Sequence, residues 1–179
     1  MSVRSATVRS LPEPDDQGRF RWVLASEQPV VIYDWERGEF VHEILVLNGL
    51  RHADQIPLLD SHNRFSAANQ IGSVRDFSLD AAGGLLMGMV RFSEADELSR
   101  TTKQKVAEGH ITDGSVGYQV EQSIWVPDGS AVNVDGRDYT GPVRVTTRAR
   151  LLEFSITPIG ADDMAKVRAF CAANIIKGE

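Results

Sequence analysis

Apolar residues in this chain fall into short runs, most of them alternating with polar ones and closed off by glycine, proline, asparagine or aspartate. That is the pattern of strands and tight turns. Residues 20–24, 30–33 and 41–47 are rich in aromatic and β-branched side chains, which suit a pleated, half-buried surface, and read as strands. Asn48-Gly49 marks a turn. Ile56-Pro57-Leu58-Leu59-Asp60-Ser61-His62 is mostly apolar until it ends in polar residues, as a buried strand does where it emerges at a surface or cleft. Residues 71–77 and 84–92 follow, joined through the turn-like Asp80-Ala81-Ala82-Gly83. The second of them is apolar on both phases, which predicts a central strand.

Ser93-Glu94-Ala95-Asp96 has the spacing of a capping box, and good helix formers run from there to Glu108 before Gly109 supplies a stop. Leu98 and Val106 are the expected buried contacts of this mostly polar helix. From Ser115 the alternation resumes, with Val116, Tyr118 and Val120 on the apolar phase. Pro127-Asp128-Gly129-Ser130 and Val134-Asp135-Gly136-Arg137 predict a loop or long hairpin. Residues 143–157 form the next strand, with Leu152, Phe154 and Ile156 on the apolar phase, Glu153, Ser155 and Thr157 opposite, and Pro158 at its end. Gly160-Ala161-Asp162-Asp163 opens a second expected helix whose apolar stripe is Val167, Phe170, Cys171 and Ile175. Residues 1–19, with two prolines, read as an irregular lead-in. About eight strands and two helices predict a mainly β, α+β domain: a closed or nearly closed antiparallel barrel with peripheral helices.

Length, charge and cysteine content narrow the function. The chain has 179 residues, enough for one domain with one core, and shows no repeat or interdomain linker. A net charge of -6 and a pI near 5.2 leave no basic patch of the kind phosphate binding requires, so nucleic acid is not an expected partner. No apolar run reaches membrane-spanning length, and the first nine residues lack the apolar core of a signal peptide; the expectation is a cytosolic protein. The single cysteine, Cys171, excludes an internal disulfide and reads as a small core residue. His42, His52, His62 and His110 include no pair at the helical ligand spacing, so neither metal nor cofactor is expected.

Chemistry concentrates at Gly109-His110-Ile111-Thr112-Asp113-Gly114-Ser115-Val116-Gly117-Tyr118. A serine between glycines at the head of an alternating strand is open to substrate and to backbone donors. Asp-Gly-Ser is also ordinary turn chemistry, and here Asp113-Gly114 reads as the turn that presents Ser115. Serine hydrolysis further needs a base and an orienting carboxylate. His62, at a strand exit, and Glu153, on a polar phase, supply those residue types from separate strands. His110 is a rival base by proximity, but five positions back across a turn it is poorly placed. Asp113 in the first glycine position breaks the Gly-x-Ser-x-Gly elbow. Lys103 or Lys105 would be a base on a polar helix face, where a depressed lysine pKa is not expected.

Four blocks in order resemble the prohead (capsid maturation) serine proteases of tailed bacteriophages, a family that shares its fold with the herpesvirus capsid maturation proteases. They are Ile56 through Arg64 (Ile-Pro-Leu-Leu-Asp-Ser-His-Asn-Arg), Ile71-Gly72-Ser73-Val74, the segment around Ser115, and Leu152 through Asp162 (Leu-Glu-Phe-Ser-Ile-Thr-Pro-Ile-Gly-Ala-Asp). The resemblance implies His62 as general base, Ser115 as nucleophile and Glu153 as the acid that orients the histidine, with Gly117 as the family's glycine beside the nucleophile. It implies Arg148 and Arg150 as the nearest analogues of the arginines that serve the oxyanion hole in the herpesvirus relatives. It also implies a herpesvirus-protease-like fold, the major capsid protein and scaffold protein as substrates, self-cleavage, and action in the host cytoplasm within the assembling prohead. A homodimer is an expectation by analogy, and the chain is expected to be part of a longer assembly polyprotein if its reading frame continues. The alternatives are a catalytically silent scaffolding domain on the same fold and an esterase of unrelated fold.

Overall fold

The computed structural model describes residues 11–168, so Phe170, Cys171 and Ile175 of the second expected helix lie outside the described residues. Eleven strands and one α-helix follow in the order β1 (Phe20–Ser26), β2 (Val30–Asp34), β3 (Glu39–Leu45), β4 (Leu50–Arg51), β5 (Ile56–Asp60), β6 (Gln70–Asp80), β7 (Leu85–Phe92), α1 (Glu97–Ala107), β8 (Gly114–Val126), β9 (Ala131–Val134), β10 (Arg137–Thr140) and β11 (Val143–Ile156). The sheet runs β1-β7-β6-β5-β11-β3-β2, with β4 and β8 also paired to β11, while β9 and β10 form a separate hairpin. The doubly apolar strand β7 is central, between β1 and β6, as its pattern predicts.

The 14-residue β11 is the spine. One edge of it pairs in parallel with β3, then β4, then β5, while the other pairs antiparallel with β8 along most of its length. The sheet is therefore mixed and branched, and it does not close into the expected antiparallel barrel. β2 ends it as a free edge, and β8 forms no ladder with β1. The space between β1 and the head of β8 is spanned by the chain at 165–168 through backbone hydrogen bonds: Gly114 N donates to Ala165 O and Val23 N to Lys166 O at 3.0 Å, Val167 N to Thr112 O at 3.0 Å, and Arg168 N to Arg21 O at 2.9 Å.

Those bonds explain the second departure. Residues 161–168 form bends, turns and isolated bridges rather than the start of a helix, because their backbone groups are engaged by two neighbouring strands. The remaining helix starts three residues later than its expected cap. Asp96, not Ser93, closes the first turn: its carboxylate accepts from Ser99 N at 2.8 Å and Ser99 Oγ at 2.7 Å. With its hydroxyl satisfied, Ser99 is fully buried beside Val106, and Leu98 turns outward at 41% exposure.

The main core lies on one side of the sheet, centred on Phe20, Trp22, Leu58, Ile71, Val90 and Phe154. Trp22 meets the Phe154 ring edge-on at 5.6 Å, which ties β1 to β11 across the core. A smaller cluster, including Val126, Tyr139 and Val145, sits under the β9–β10 hairpin.

Candidate active site

The strand β11 changes phase at Leu152. Ala149 and Leu151 are buried in the core; pairing with β8 then slips, so that Leu151 faces Tyr118 but Glu153 faces Gly117. The extra residue, Leu152, is only half-buried instead of taking the core position its alternation suggested. A bulge of this kind re-aims the side chains that follow it. Phe154 and Ile156 return to the core, and Glu153 and Ser155 emerge together on the opposite face, still buried at 5% and 0% exposure.

Register brings Ser115 to the same place. Directly paired residues of antiparallel strands project from one face. Ser155 pairs with Ser115 and Glu153 with Gly117, so Ser115 and Glu153 share that face on neighbouring strands. Asp113-Gly114 is not the expected turn: Gly114 already belongs to β8 and Asp113 bridges Lys166. Glycine is required at 114 for space, since a β-carbon there would lie 2.1 Å from the Phe154 ring.

His62 arrives from the other side of β11. Its strand β5 pairs in parallel with residues 154–156 and ends at Asp60. Ser61 and His62 then adopt left-handed conformations, with φ of 50° and 59°. Such backbone is strained for these residues, at about 1–3 kcal/mol each. It is held by Ser61 N donating to Ile156 O and His62 N donating to Ser155 Oγ, both at 3.0 Å. The reversal points the ring back over β11, where Nδ1 lies 2.7 Å from Glu153 Oε1.

Ser155 completes the arrangement and was not singled out from sequence. Its hydroxyl donates to Glu153 Oε2 at 2.7 Å while accepting from the His62 amide. An ionised carboxylate only accepts, so with Ser155 donating to one oxygen, the other takes the proton of His62 Nδ1. That fixes the tautomer that leaves Nε2 as an acceptor. The His62 side chain is 43% exposed against 7% for Glu153, so the ring presents an edge to solvent while the acid does not. The available signal was the polar phase that Ser155 shares with Glu153.

Gly117 has a steric reason to be glycine. A β-carbon there would stand 2.0 Å from Glu153 Oε1, in the space the carboxylate occupies. Gly117→Ala is expected to cost about 1–3 kcal/mol of stability as an overpacked site. By pushing Glu153 off the His62 ring it should also reduce turnover about 100-fold, as ångström misplacements at reacting centres do. Urea unfolding and steady-state rates on the same preparation check both effects.

The loop after β11 rests on the strand that carries Ser115. A β-carbon on Gly160 would lie 2.8 Å from Gly114 O and 3.5 Å from Asp113 Oδ1, and Asp113 accepts from Thr112 Oγ1 at 2.8 Å and from Lys166 Nζ. Burial acts to raise the Asp113 pKa, but the Lys166 and Thr112 hydrogen bonds outweigh it and hold the acid below its ordinary 3.8. A depressed carboxylate stabilises the fold above its unfolded pKa and loses that contribution as pH falls through the folded value. Asp113→Asn is therefore expected to lower stability by about 1 kcal/mol at pH 7, and the gap from the parent should close below about pH 3.8. Denaturant titrations at pH 7, 5 and 3 measure it.

The other residues considered from sequence lie elsewhere. Arg150 pairs with Gln119 and donates to its side chain at 3.1 Å. Gln119 lies four positions along β8 from Ser115, roughly 13 Å at strand rise. Arg148 is farther still, opposite Gln122, and the structure brings neither arginine to Ser115. His110 is exposed beyond α1 with its ring toward Glu108, and Lys103 reaches Glu94 at 2.5 Å. No cluster of three or more metal-ligating side chains occurs among the described residues, and no helix among them is long and apolar enough to cross a membrane.

A histidine paired with a buried carboxylate, and a serine on the same sheet face one strand away, is the equipment of a serine hydrolase. The sequence comparison is narrower: residues 32–176 match the family model described as caudovirus prohead serine protease. The chain belongs to that family, and it is a serine protease of the capsid-maturation type found in tailed bacteriophages. No curated protein and no solved structure matches it.

Proposed function

We propose that Ser115, His62 and Glu153 are the catalytic triad of a prohead endopeptidase that processes scaffold and capsid protein, and itself, in the assembling shell. The observation that carries this reading is the 2.7 Å contact of His62 Nδ1 with Glu153 Oε1 on the sheet face that also bears Ser115. Family membership supports the choice of peptide substrates.

In this reading Ser115 Oγ attacks the scissile carbonyl as His62 Nε2 takes its proton. The imidazolium that forms is stabilised by Glu153 and returns the proton to the leaving amine, and water activated by the same histidine then releases the acyl group. Ser155 is a positioning residue, holding both the carboxylate and the backbone of His62. Oxyanion donors are sought in the backbone of the loop at 158–161, which rests on Gly114, rather than in Arg148 or Arg150.

Co-expression with the scaffold and major capsid proteins of the same virus tests the substrate assignment. Discrete new N-termini on either protein, read by mass spectrometry, are the expected result. Intact scaffold and capsid chains beside a protease whose Ser115 reacts with an alkyl fluorophosphonate would overturn it.

A further inference from the structure

A cavity of about 160 Å³ opens beside Ser115, between β1, β2, β3 and the head of β8. A dry cavity of roughly 150 Å³ is enough to hold a benzene molecule. Its walls are Leu24, Val30, Ile32, Leu45, Val116 and Ala161, so its surface is mainly apolar.

Two acids also line it, and both are already engaged. Glu43, only 3% exposed, accepts from Thr146 Oγ1 at 2.5 Å and from the Tyr118 hydroxyl. Burial and then the charge of Glu43 push the Tyr118 hydroxyl far above its ordinary pKa, with Arg144 opposing, so Tyr118 remains a proton donor. Arg144 itself is held by Asp34 at 2.9 Å. Asp162 accepts from Ser26 N at 2.6 Å, Ser26 Oγ at 2.9 Å and Met164 N at 2.8 Å. A substrate ammonium entering here would give up its water for carboxylates that already have partners. A substrate carboxylate would meet two of its own sign with no lysine or arginine in the lining.

We propose that this cavity is the specificity pocket: it takes an apolar side chain of leucine or methionine size from the residue whose carbonyl Ser115 attacks, and it rejects acidic and basic ones. The inference rests on Ser115 being the nucleophile. The residue on the acyl side of the scissile bond is the one whose side chain lies nearest that serine, and Ser115 itself lines the cavity.

Active-site phosphonates separate the pocket from the nucleophile. Peptidyl diphenyl phosphonates carrying a leucine-, lysine- or glutamate-type side chain lose phenoxide to the serine, and an alkyl fluorophosphonate without such a side chain loses fluoride. Rates of Ser115 labelling are read by intact-mass spectrometry. The leucine probe should react at least about tenfold faster than either charged probe, the discrimination an apolar pocket gives. In Val30→Phe, which fills the cavity from the edge strand, the ratio of leucine-probe to alkyl-probe rates should fall about tenfold. In Ile32→Ala, which enlarges the cavity, a fourth diphenyl phosphonate carrying a phenylalanine-type side chain should gain in rate relative to the leucine probe. Taking ratios removes any loss of folded protein. Equal rates for the three side chains, or a faster charged probe, with normal alkyl labelling would overturn the pocket and leave the nucleophile standing. Failure of the alkyl probe at Ser115 would overturn the nucleophile and the pocket with it.

Discussion

Ser115→Ala is expected to give a folded protein whose peptide hydrolysis is about a million-fold slower than the parent's, since removing the nucleophile of a serine triad costs about as much as removing the whole triad. The fold should tolerate it. Ser115 is half-buried at the head of β8, and the backbone there is held by the ladder with β11 and by Gly114 N donating to Ala165 O at 3.0 Å, none of which needs the hydroxyl. Stability should stay within about 0.5 kcal/mol of the parent, as for substitutions outside the named large-effect mechanisms. The measurement is turnover of a scaffold-derived peptide, paired with urea unfolding. Unchanged processing by a folded Ser115→Ala protein would remove Ser115 from the reaction and make its place opposite Ser155 merely structural.

Much of this site was legible in sequence because its parts carry local signals. Ser115 stands between glycines in an alternating run, His62 ends an apolar run, and Glu153 sits off the apolar phase of its strand. The fold was less legible where it depends on partners. Periodicity identifies a strand but not its neighbours, so nothing local showed that β11 pairs in parallel with three separate strands on one edge. That pairing is what makes the sheet mixed and places His62 beside Glu153.

The local failures have particular causes. Two-residue alternation across 152–156 put Leu152 in the core, whereas the bulge there makes Leu151 the core residue and resets the phase. Asp-Gly before Ser115 matched a turn, but both residues are extended, and Gly114 is small to make room for Phe154. Acidic residues after Gly160 matched a helix start. The Asp162 carboxylate is instead spent on Ser26 and Met164, and the backbone that follows is bound to β1 and to the head of β8. In each case a tertiary partner absent from the local window decided the outcome.

Glu153→Gln is the sharper test of how the triad is held, because the change is nearly isosteric and its effect follows from counting protons. The parent carboxylate accepts twice, from His62 Nδ1 at 2.7 Å and from Ser155 Oγ at 2.7 Å. An amide has one accepting oxygen and one donating nitrogen. If the oxygen faces His62, the nitrogen faces Ser155, whose hydroxyl already accepts from His62 N and must turn its own proton away with no buried acceptor in its place. If the nitrogen faces His62, Nδ1 must accept, the ring takes the other tautomer, and Nε2 carries the proton it should be free to receive. The first arrangement leaves the Ser155 proton unsatisfied, whereas the second satisfies both contacts but only with the ring in the wrong tautomer, so the second is favoured. Losing the correct tautomer in a serine triad lowers kcat by about 10⁴, and an unsatisfied buried hydroxyl costs about 1–3 kcal/mol. Glu153→Gln should therefore lose about 10⁴ in kcat with KM nearly unchanged, a smaller loss than in Ser115→Ala. Glu153→Asp, which restores two acceptors one methylene back, should recover part of it. Full activity in the glutamine variant would mean that His62 is oriented without Glu153, and the short contact between them would then be structural only.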